Sequence, residues 1–306
     1  MTAVRKGDRV RLATFNCENL FARYKFKRNF DPRESDGFTI NDLAFDIFEE
    51  TEKQITGQAI QEVDADVIAL QEVESLPVLD RFNSRYLAPM KYRYRFLVDS
   101  HDPRGIDVAV LSRCPILSVR SYRDERNAAN TGWLFSRDCL EVQIDAEGKP
   151  LFLYVNHFKS MLGGRDQTKP KRVEQATQVA KIIDARWKQT GFEGNFVVLG
   201  DLNDYPDAKT SLGALLTHAG LKNVIERLPK SEQWTHYYAG ESEYRQLDYL
   251  FLSKSLAAAN TAAPGIMRKG LPYRAERYEG PRFNNVGENE PKASDHAPMY
   301  VDLDLA

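Results

Sequence analysis

The sequence predicts an α/β protein in which short buried strands alternate with a few helices. Ten runs are rich in Val, Ile, Leu, Phe and Tyr and bounded by turn residues, as strands are: 10–16, 66–71, 93–98, 106–112, 116–120, 138–144, 150–157, 195–200, 245–252 and 298–304. The chain of 306 residues is 42% hydrophobic, which is enough for a large core. No Gly/Ser linker divides it, so residues 1–306 are predicted to form a single domain.

Four segments between these runs have helical character. The first is predicted to start at Asn41, a plausible N-cap, and to end near Val63, with core candidates Phe45, Phe48, Ile55 and Ile60. The second and fourth are predicted over 76–87 and 209–219. The third is predicted to start at Pro170, because proline suits a first helical turn. Its expected apolar stripe is Val173, Ala176, Ala180, Ile183 and Trp187.

Composition narrows the classes of protein. The net charge is −2, so any contact with nucleic acid must come from a local basic patch. The apolar runs are strand-sized, which predicts no membrane span. No apolar segment follows the basic residues of the N-terminus, which favours a cytoplasmic location and leaves a removed leader open. Cys17, Cys114 and Cys139 are isolated, which argues against a disulfide framework or a zinc site.

Seven short segments carry the polar residues of interest, and in five of them an apolar run leads directly into the polar cluster. They are TFNCENLF (14–21), ALQEVE (69–74), GIDVAVLSR (105–113), YVNHFKS (154–160), VVLGDLNDYP (197–206), QLDYLFLS (246–253) and ASDHAPM (293–299). A buried strand that ends in Asn, Glu, Asp or His delivers that group to the rim of a sheet. The seven segments together predict an active site for metal-dependent phosphodiester hydrolysis, which needs a hard cation, an activated water and charge stabilisation.

Glu72 is the first choice as a metal ligand, because it follows the buried-looking strand VIAL. Asn16 and Asp295 are predicted to complete an all-oxygen shell, and Asp201 and Asn203 are further candidates for it, directly or through water. Hard oxygen ligands favour Mg²⁺ or Mn²⁺ as the cofactor.

Asp248 and His296 are predicted to form an acid–imidazole pair, since a carboxylate on one ring nitrogen fixes the tautomer and supports positive charge on the ring. Asp201 competes with His296 for the role of orienting the attacking water. Asn203 either donates its amide to a phosphoryl oxygen or makes a turn. His157 ends a strand, and Asp107 is a possible partner for it.

A basic cluster follows His157. Its members are predicted to contact the substrate, with a solvated face as the equal alternative: Lys159, Arg165, Lys169, Lys171 and Arg172. An aromatic group precedes Asp248 and is expected mainly to pack its loop: Trp234, Tyr237, Tyr238 and Tyr244.

The motifs and their order resemble the endonuclease/exonuclease/phosphatase superfamily, which includes deoxyribonuclease I, AP endonucleases, sphingomyelinases and inositol-polyphosphate 5-phosphatases. The order is Asn, Glu, His, Asp-x-Asn, Asp and finally Asp-His, from about Leu12 to Leu303, and GDLND and SDH are its most specific parts. The resemblance implies a deoxyribonuclease I-like four-layer fold, a two-sheet β-sandwich flanked by helices. It also implies that His157 binds phosphate or protonates the leaving oxygen. NHFKS, the following Gly-Gly-Arg and R-x-x-Q-A look most like bacterial nucleases of the family.

The function predicted on this basis is metal-dependent hydrolysis of nucleic acid, DNA rather than RNA, with no obligate protein partner evident. One alternative is a phosphoesterase for a small or lipid-borne phosphate, such as a phosphoinositide or sphingomyelin. The other is a catalytically silent scaffold that binds a protein. Loss of the metal and histidine residues would mark such a scaffold, and here every position is present.

Overall fold

Two six-stranded β-sheets pack face to face in the computed structural model of the chain, which describes residues 9–26, 43–47 and 50–305. The strands are β1 (Arg9–Leu20), β2 (Ala22–Phe26), β3 (Leu43–Ile47), β4 (Val67–Val73), β5 (Tyr94–Leu97), β6 (Asp107–Ser112), β7 (Ile116–Ser121), β8 (Cys139–Ala146), β9 (Lys149–His157), β10 (Phe196–Asp201), β11 (Leu221–Asn223), β12 (His236–Tyr238), β13 (Glu243–Arg245), β14 (Asp248–Ser253), β15 (Gly265–Ile266) and β16 (Met299–Asp304). The helices are α1 (Glu50–Val63), α2 (Leu76–Tyr86), α3 (Arg165–Trp187), α4 (Gly213–Leu216) and α5 (Lys254–Ala259).

The first sheet has the strand order β15-β16-β1-β4-β6-β5, and the second has the order β11-β14-β10-β9-β8-β7. Within them the pairs β1–β4 and β9–β10 are parallel, and the other neighbours are antiparallel. Two hairpins, β2–β3 and β12–β13, stand outside the sheets. All ten predicted strands are present, and the two-sheet β-sandwich flanked by helices is confirmed.

The alternation of side chains along each strand explains the four layers. Leu12 of β1 faces inward and joins the core between the sheets, together with Val110, Val142, Leu153 and Leu199. The residues on the opposite faces of the strands pack against the helices. Those of the first sheet, including Phe15, meet α1 and α2, and those of the second meet α3 and α4. No helix in the described ranges has the length and apolar character needed to cross a lipid bilayer.

The prediction for the first helix was wrong at its start. Helix α1 begins at Glu50, and residues 43–47 form β3. The segment has apolar residues at every second position (Leu43, Phe45 and Ile47), which is the strand period. The core candidates Ile55 and Ile60 are buried, whereas Asn41 and Phe48 lie outside the described residues.

The third helix begins at Arg165 instead of Pro170, and its buried stripe is rotated from the predicted one. Val173 is 41% exposed, whereas Arg172 and Gln175 are buried. These two polar residues take core positions because each has hydrogen-bond partners within the protein. The fourth predicted helix shrinks to Gly213–Leu216, since Ser211 is used to bind Asp204.

Candidate active site

Three adjacent strands of the second sheet, β9, β10 and β14, bring His157, Asp201 and Asp248 together at one end of the sheet. In the register of the sheet, Asp201 at the end of β10 lies opposite His157 of β9 on one side and Asp248 of β14 on the other. The three segments are far apart in the sequence, and β-pairing alone sets their spacing. All three side chains are buried.

Gly200, just before Asp201, makes this close strand pairing possible. Its φ is +130°, and an added Cβ would lie 1.9 Å from the carbonyl oxygen of Asn156 on β9. No other residue fits such an approach without a backbone shift. The glycine of the GDLND motif is therefore a requirement of strand packing.

Glu72 reaches the cleft because it is the extra residue of a β-bulge. The pairing of β4 with β6 passes from Gln71 to Val73, and Glu72 between them has a φ of +62°. Bulges re-aim a side chain relative to the pleat of the sheet. The register of β1 is also interrupted, and the amide N–H of Asn19 in that irregular segment donates to Glu72 Oε2 at 3.1 Å.

Lys53 of α1 holds the irregular segment of β1 from behind. Its buried ammonium donates to the carbonyl oxygens of Cys17 and Glu18 at 3.0 and 2.9 Å. Glu18 and Asn19 both have positive φ angles, which non-glycine residues seldom adopt. The contact with Lys53 thus helps to fix the backbone that supports Glu72.

One carboxylate oxygen, Asp201 Oδ2, lies at the centre of the site. The Nδ2 atoms of Asn16 and Asn203 each donate to it at 3.0 Å. The Nε2 atoms of His157 and His296 lie 3.4 and 3.8 Å from it. Burial, opposed by the charge of His296, raises the pKa of Asp201 to about 7. Such a carboxyl can accept a proton near neutral pH.

Asp248 and His296 form the predicted pair, with 2.8 Å between Asp248 Oδ2 and His296 Nδ1. Burial alone would lower the pKa of His296, but the charges of Asp248 and Asp201 outweigh it and hold this pKa well above its ordinary value. The ring is therefore cationic near neutral pH, and its Nε2 faces the cleft. Thr235 Oγ1 accepts the backbone N–H of Asp248 and fixes the strand end behind the pair.

His157 has the opposite electrostatic character. Burial, together with the nearby charges of Arg137 and His296, holds its pKa well below the ordinary value, so the ring is neutral. The suggested partner Asp107 makes no hydrogen bond to His157. Its Oδ1 accepts hydrogen bonds from the backbone N–H and the hydroxyl of Ser100, and its Oδ2 has no hydrogen-bond partner among the described residues. In the described part of the chain, His157 Nδ1 has no hydrogen-bond partner.

Asn203 has less free hydrogen-bonding capacity than the sequence suggested. Its Nδ2 donates to the carbonyl oxygen of Phe158 at 3.2 Å and to Asp201 Oδ2 at 3.0 Å. Both amide hydrogens therefore have protein acceptors. Its backbone N–H also donates to Asp201 Oδ1 at 2.9 Å, and its φ is +53°. Asn203 therefore makes the predicted turn and also lines the cleft.

Asp295 lies in a charged network on the opposite side of His296. Its Oδ2 is 3.4 Å from His236 Nε2, and its backbone N–H donates to Glu18 Oε2 at 2.8 Å. Burial would raise the pKa of Asp295, but the hydrogen bond to His236 and the surrounding positive charges hold it well below the ordinary value. Burial and the charge of Asp295, opposed by Lys292, raise the pKa of Glu18 to about 7.

Glu72 and Asp295 fit the cation that such a site requires. Both line the same cleft, and Glu72 is 20% exposed, with no Lys or Arg within 4.0 Å in the described ranges. Asn16 is oriented differently from the prediction. Its Oδ1 accepts the backbone N–H of Glu18, and its Nδ2 faces Glu72 and Asp201. In this orientation Asn16 steadies the carboxylates through its donor end.

Two compact clusters of potential ligand atoms include His296: His236–Asp295–His296 and Asp201–Asp248–His296. Both are poor metal sites as they stand, because one nitrogen of His296 is bonded to Asp248 and the ring carries a proton. A hard cation also prefers oxygen ligands and retains several waters. Glu72, supported by Asp295, therefore fits such an ion better than either cluster.

The predicted basic cluster is dispersed by the fold. Arg165 donates to Asp204 at 2.7 Å and to both carboxylate oxygens of Asp207, so its guanidinium is occupied even though it lines the cleft. Arg172 is completely buried and lies 3.6 Å from Asp204. Its expected contact with substrate is wrong, because it fastens α3 to the loop that follows GDLND.

The lysines of the cluster point to different places. Lys159 is half-buried beside the cleft and donates to Ser160. Lys171 donates to the carbonyl oxygen of Trp133, and Lys169 lines a separate groove along α3. Of the five residues, Arg165 lines the cleft and Lys159 lies beside it, so contact of these two with a substrate stays a prediction.

The basic residues that do line the cleft were missed from the sequence. They come from loops and strands remote from His157: Arg104, Arg137 and Arg245. His236 was missed too, although it lies within the aromatic-rich segment, between Trp234 and Tyr237. Both of those aromatic residues are buried, whereas Tyr238 is 44% exposed and lines the cleft. The polar residue between the aromatics was the available signal.

The cleft that these residues surround has a volume of about 620 Å³. A sequence profile described as "Endonuclease/Exonuclease/phosphatase family" matches residues 11–304. No protein of curated function matches the chain in sequence.

Solved structures of the same fold cover nearly the whole chain. Truncated TDP2 of Caenorhabditis elegans is 16% identical, with a TM-score of 0.58, covering 97% of this chain and 98% of that one. TDP2 of D. rerio, in complex with a single-strand DNA product, is 18% identical, with a TM-score of 0.60 and coverages of 97% and 99%. The catalytic domain of human Nocturnin, with bound sulfate, is 14% identical, with a TM-score of 0.63 and coverages of 98% and 95%.

Proposed function

The chain belongs to the endonuclease/exonuclease/phosphatase family, and on that premise we propose that it is a Mg²⁺- or Mn²⁺-dependent phosphodiesterase acting on nucleic acid, DNA rather than RNA. The observation that carries the proposal is the Asp248–His296 pair beside Asp201, on the floor of a cleft that Glu72 also lines. This arrangement combines the positively charged ring of His296, the carboxyl of Asp201 with a pKa of about 7, and Glu72 as an acidic residue suited to a metal.

In this proposal the roles of the residues follow from their protonation states. Asp201 orients the attacking water and accepts its proton, since its pKa lies near neutrality. The cationic His296 stabilises the negative charge that develops on the phosphoryl oxygens. Water adds to phosphorus as the bond to the leaving oxygen breaks. The leaving oxygen takes a proton from solvent, and the products are a phosphomonoester and an alcohol. His157, neutral and buried at the other side of Asp201, directs its ring toward the phosphate.

A divalent ion held by Glu72 and Asp295 would polarise a phosphoryl oxygen and neutralise charge in the transition state. The remaining requirements are met by the protein. Asn16 bridges Glu72 and Asp201, because its Nδ2 donates to both carboxylates, at 3.4 Å from Glu72 Oε1 and 3.0 Å from Asp201 Oδ2.

The choice of DNA draws on the likeness of the segment after His157 to bacterial nucleases and on the cations that line the cleft. The TDP2 structure with a DNA product shows that this fold holds such a strand in another protein. A cleft of about 620 Å³ would also admit a small phosphoester, which is the alternative substrate class.

The test is a substrate panel assayed with Mg²⁺, with Mn²⁺ and with EDTA: plasmid, single-stranded DNA, RNA, an abasic duplex, inositol phosphates and sphingomyelin. The expected result is metal-dependent cleavage, fastest on DNA. Hydrolysis of only the small or lipid-borne phosphates would replace the nucleic-acid proposal. Absence of metal-dependent activity on every substrate would revive the protein-binding scaffold.

Glu72→Gln provides the matched variant for the metal. The amide keeps the shape of the side chain but loses its charge, so activity should fall below detection and Mg²⁺ should no longer raise the melting temperature. Glu147→Gln, in the exposed turn between β8 and β9, is the control and should keep both properties. Normal activity in Glu72→Gln would remove Glu72 from the metal site.

A further inference from the structure

Arg104 and Arg137 meet at one carboxylate, Asp102, on the wall of the cleft. Arg104 Nε and Arg137 Nε lie 3.1 and 3.0 Å from the two oxygens of Asp102. Arg137 also donates from Nη1 to the carbonyl oxygen of Phe158 at 2.7 Å, directly after His157. The side chain of Asp102 is almost buried. By pairing with both guanidinium groups, it holds two positive charges near His157.

This pair differs from the other cleft arginines in its charge balance. Arg165 has two carboxylate partners, Asp204 and Asp207, and Arg245 also has two, Glu241 and Glu243. Arg104 and Arg137 share one contacting carboxylate between them, and the next acidic groups that act on their charges are Glu72 and Asp201 of the site itself. Lys159 adds another positive charge, and the charges of Arg137 and Arg104, after burial, lower its pKa. The positive potential of the cleft wall is therefore concentrated here.

The guanidinium groups also retain unused donors. Within the described part of the chain, Arg104 Nη1 and Arg137 Nη2 make no hydrogen bond to a protein acceptor. Arg137 is only 2% exposed, and its Nε, although 3.0 Å from Asp102 Oδ2, makes no hydrogen bond within the described residues. A buried donor without a hydrogen bond carries a desolvation penalty. Guanidinium forks match the geometry of phosphate oxygens, so an anion at this place would satisfy them.

We propose that Arg104 and Arg137, fixed by Asp102, form a subsite for a second phosphate group of the substrate, adjacent to the scissile phosphate on the His157 side. The inference rests on the proposed function and specifies which substrates the site prefers. The second phosphate is either the next diester of a strand or a terminal phosphomonoester of a short nucleotide. A substrate with a single isolated phosphodiester makes no use of the subsite.

The test uses reporter esters in which a p-nitrophenyl group fixes the scissile bond. Thymidine carrying the reporter phosphate is compared with the same compound bearing a terminal phosphate, and with dithymidylates whose internal linkage is phosphate or neutral methylphosphonate. The reporter is placed at the 5′ end in one series and at the 3′ end in the other. Bis-p-nitrophenyl phosphate reports on the chemical step alone.

Arg104→Gln is the principal variant, because Arg104 is 53% exposed and its replacement should leave the fold intact. In at least one series KM should rise about 10- to 100-fold for esters with a second charged phosphate, as expected for a charged hydrogen bond. KM for the methylphosphonate and for bis-p-nitrophenyl phosphate should change less than about threefold. If KM rises more for the dithymidylate, the subsite prefers a diester; if it rises more for the thymidine ester with a terminal phosphate, the subsite prefers that phosphomonoester. Arg95→Gln, which breaks an Arg95–Asp80 pair outside the cleft, is the control.

Equal KM changes for charged and neutral esters in both series would overturn the subsite. Binding of fluorescein-labelled oligothymidylate in EDTA gives a reading that does not depend on turnover, and Arg104→Gln should weaken it about tenfold relative to Arg95→Gln. If the wild-type protein hydrolyses none of the esters, the proposed function fails. Unchanged binding by Arg104→Gln would then reject the subsite separately.

Discussion

At the scale of single residues, the two histidines beside Asp201 are held in opposite protonation states. The negative charges of Asp248 and Asp201 stabilise the protonated ring of His296 despite its burial. His157 is buried close to Arg137 and stays neutral. The difference arises from the neighbours, since both rings are almost inaccessible to solvent. Environments that push the pKa values of two similar groups apart are characteristic of acid–base sites.

The pairing of His296 with Asp248 makes a prediction about additivity. His296→Ala and Asp248→Asn should each lower kcat by several orders of magnitude, because the ring loses its charge or its orientation. The double variant should be little slower than His296→Ala alone, since residues that act as one unit are not additive. The measurement is kcat on a common substrate for all three variants. Fully multiplicative losses would mean that the two residues act separately.

Asp201 should impose a pH dependence on stability. Its folded pKa of about 7 lies above its ordinary value, so it stabilises the fold at low pH, and this contribution is lost as the pH rises through about 7. Between pH 5 and pH 8 in EDTA, the melting temperature of Asp201→Asn should therefore fall by several degrees less than that of the wild type. Thermal unfolding at both pH values measures the difference, and identical falls would show that Asp201 is already ionised at pH 5.

At the scale of elements, the strands were predictable and the helix boundaries were less so. A buried strand can be recognised in the sequence as an apolar run with a polar end, as in FVVLGD of β10. The start of α1 was misplaced because 43–47 has the strand period, and the face of α3 was misjudged because Arg172 is buried. No local sequence pattern predicts that Arg172 will pair with Asp204, which lies in a loop far along the chain.

The same reason explains the outcome for the candidate site. His157, Asp201, Asp248 and His296 were identified because each stands at the end of an apolar run or in a specific motif, and the fold brings them together. Arg104 and Arg137 have no such mark, since a lone arginine in a loop is common. Their place in the cleft depends on Asp102 and on strand pairing, which a single sequence does not reveal.

Gly200 gives a prediction at this scale. Gly200→Ala should destabilise the protein by about 3 kcal/mol or more, because the new Cβ would meet the Asn156 carbonyl in a backbone conformation that alanine avoids. Gly132→Ala is the matched control, since a Cβ there has nothing within 4 Å. Urea unfolding of both variants measures the loss. A loss below about 1 kcal/mol for Gly200→Ala would show that β9 and β10 can separate at no great cost.

At the scale of the whole molecule, the chain is slightly acidic, with a net charge of −2, and its positive charge facing the substrate is limited to a few residues of the cleft. A protein that coats nucleic acid would present a broad basic surface. If the substrate is nucleic acid, as proposed, this distribution predicts contact with only a few phosphates around the scissile bond.

Contact with only a few phosphates predicts a shallow dependence on salt. With two or three phosphates neutralised, log KM for a long DNA should rise with log salt concentration with a slope of about 2, following counterion release. Replacing both Lys169 and Lys171 by Ala should leave the slope unchanged, because Lys169 and Lys171 lie outside the cleft. The slope is obtained from KM at several NaCl concentrations. A slope near 5 that drops in the double variant would restore the basic cluster as a binding surface.

The hydrogen bond from Ser294 Oγ to the carbonyl oxygen of Asn16, at 2.8 Å, joins residues 278 positions apart in the sequence. It sits where the segment entering β16 meets β1, beside His296, so the position of this histidine depends on a contact between the two ends of the described chain. Contacts of such separation form slowly, because chain entropy must be lost before they contribute. Assembly of the reactive centre is therefore tied to completion of the first sheet. On the proposed function, partly folded forms that lack the β1–β16 pairing would be catalytically silent until folding is complete.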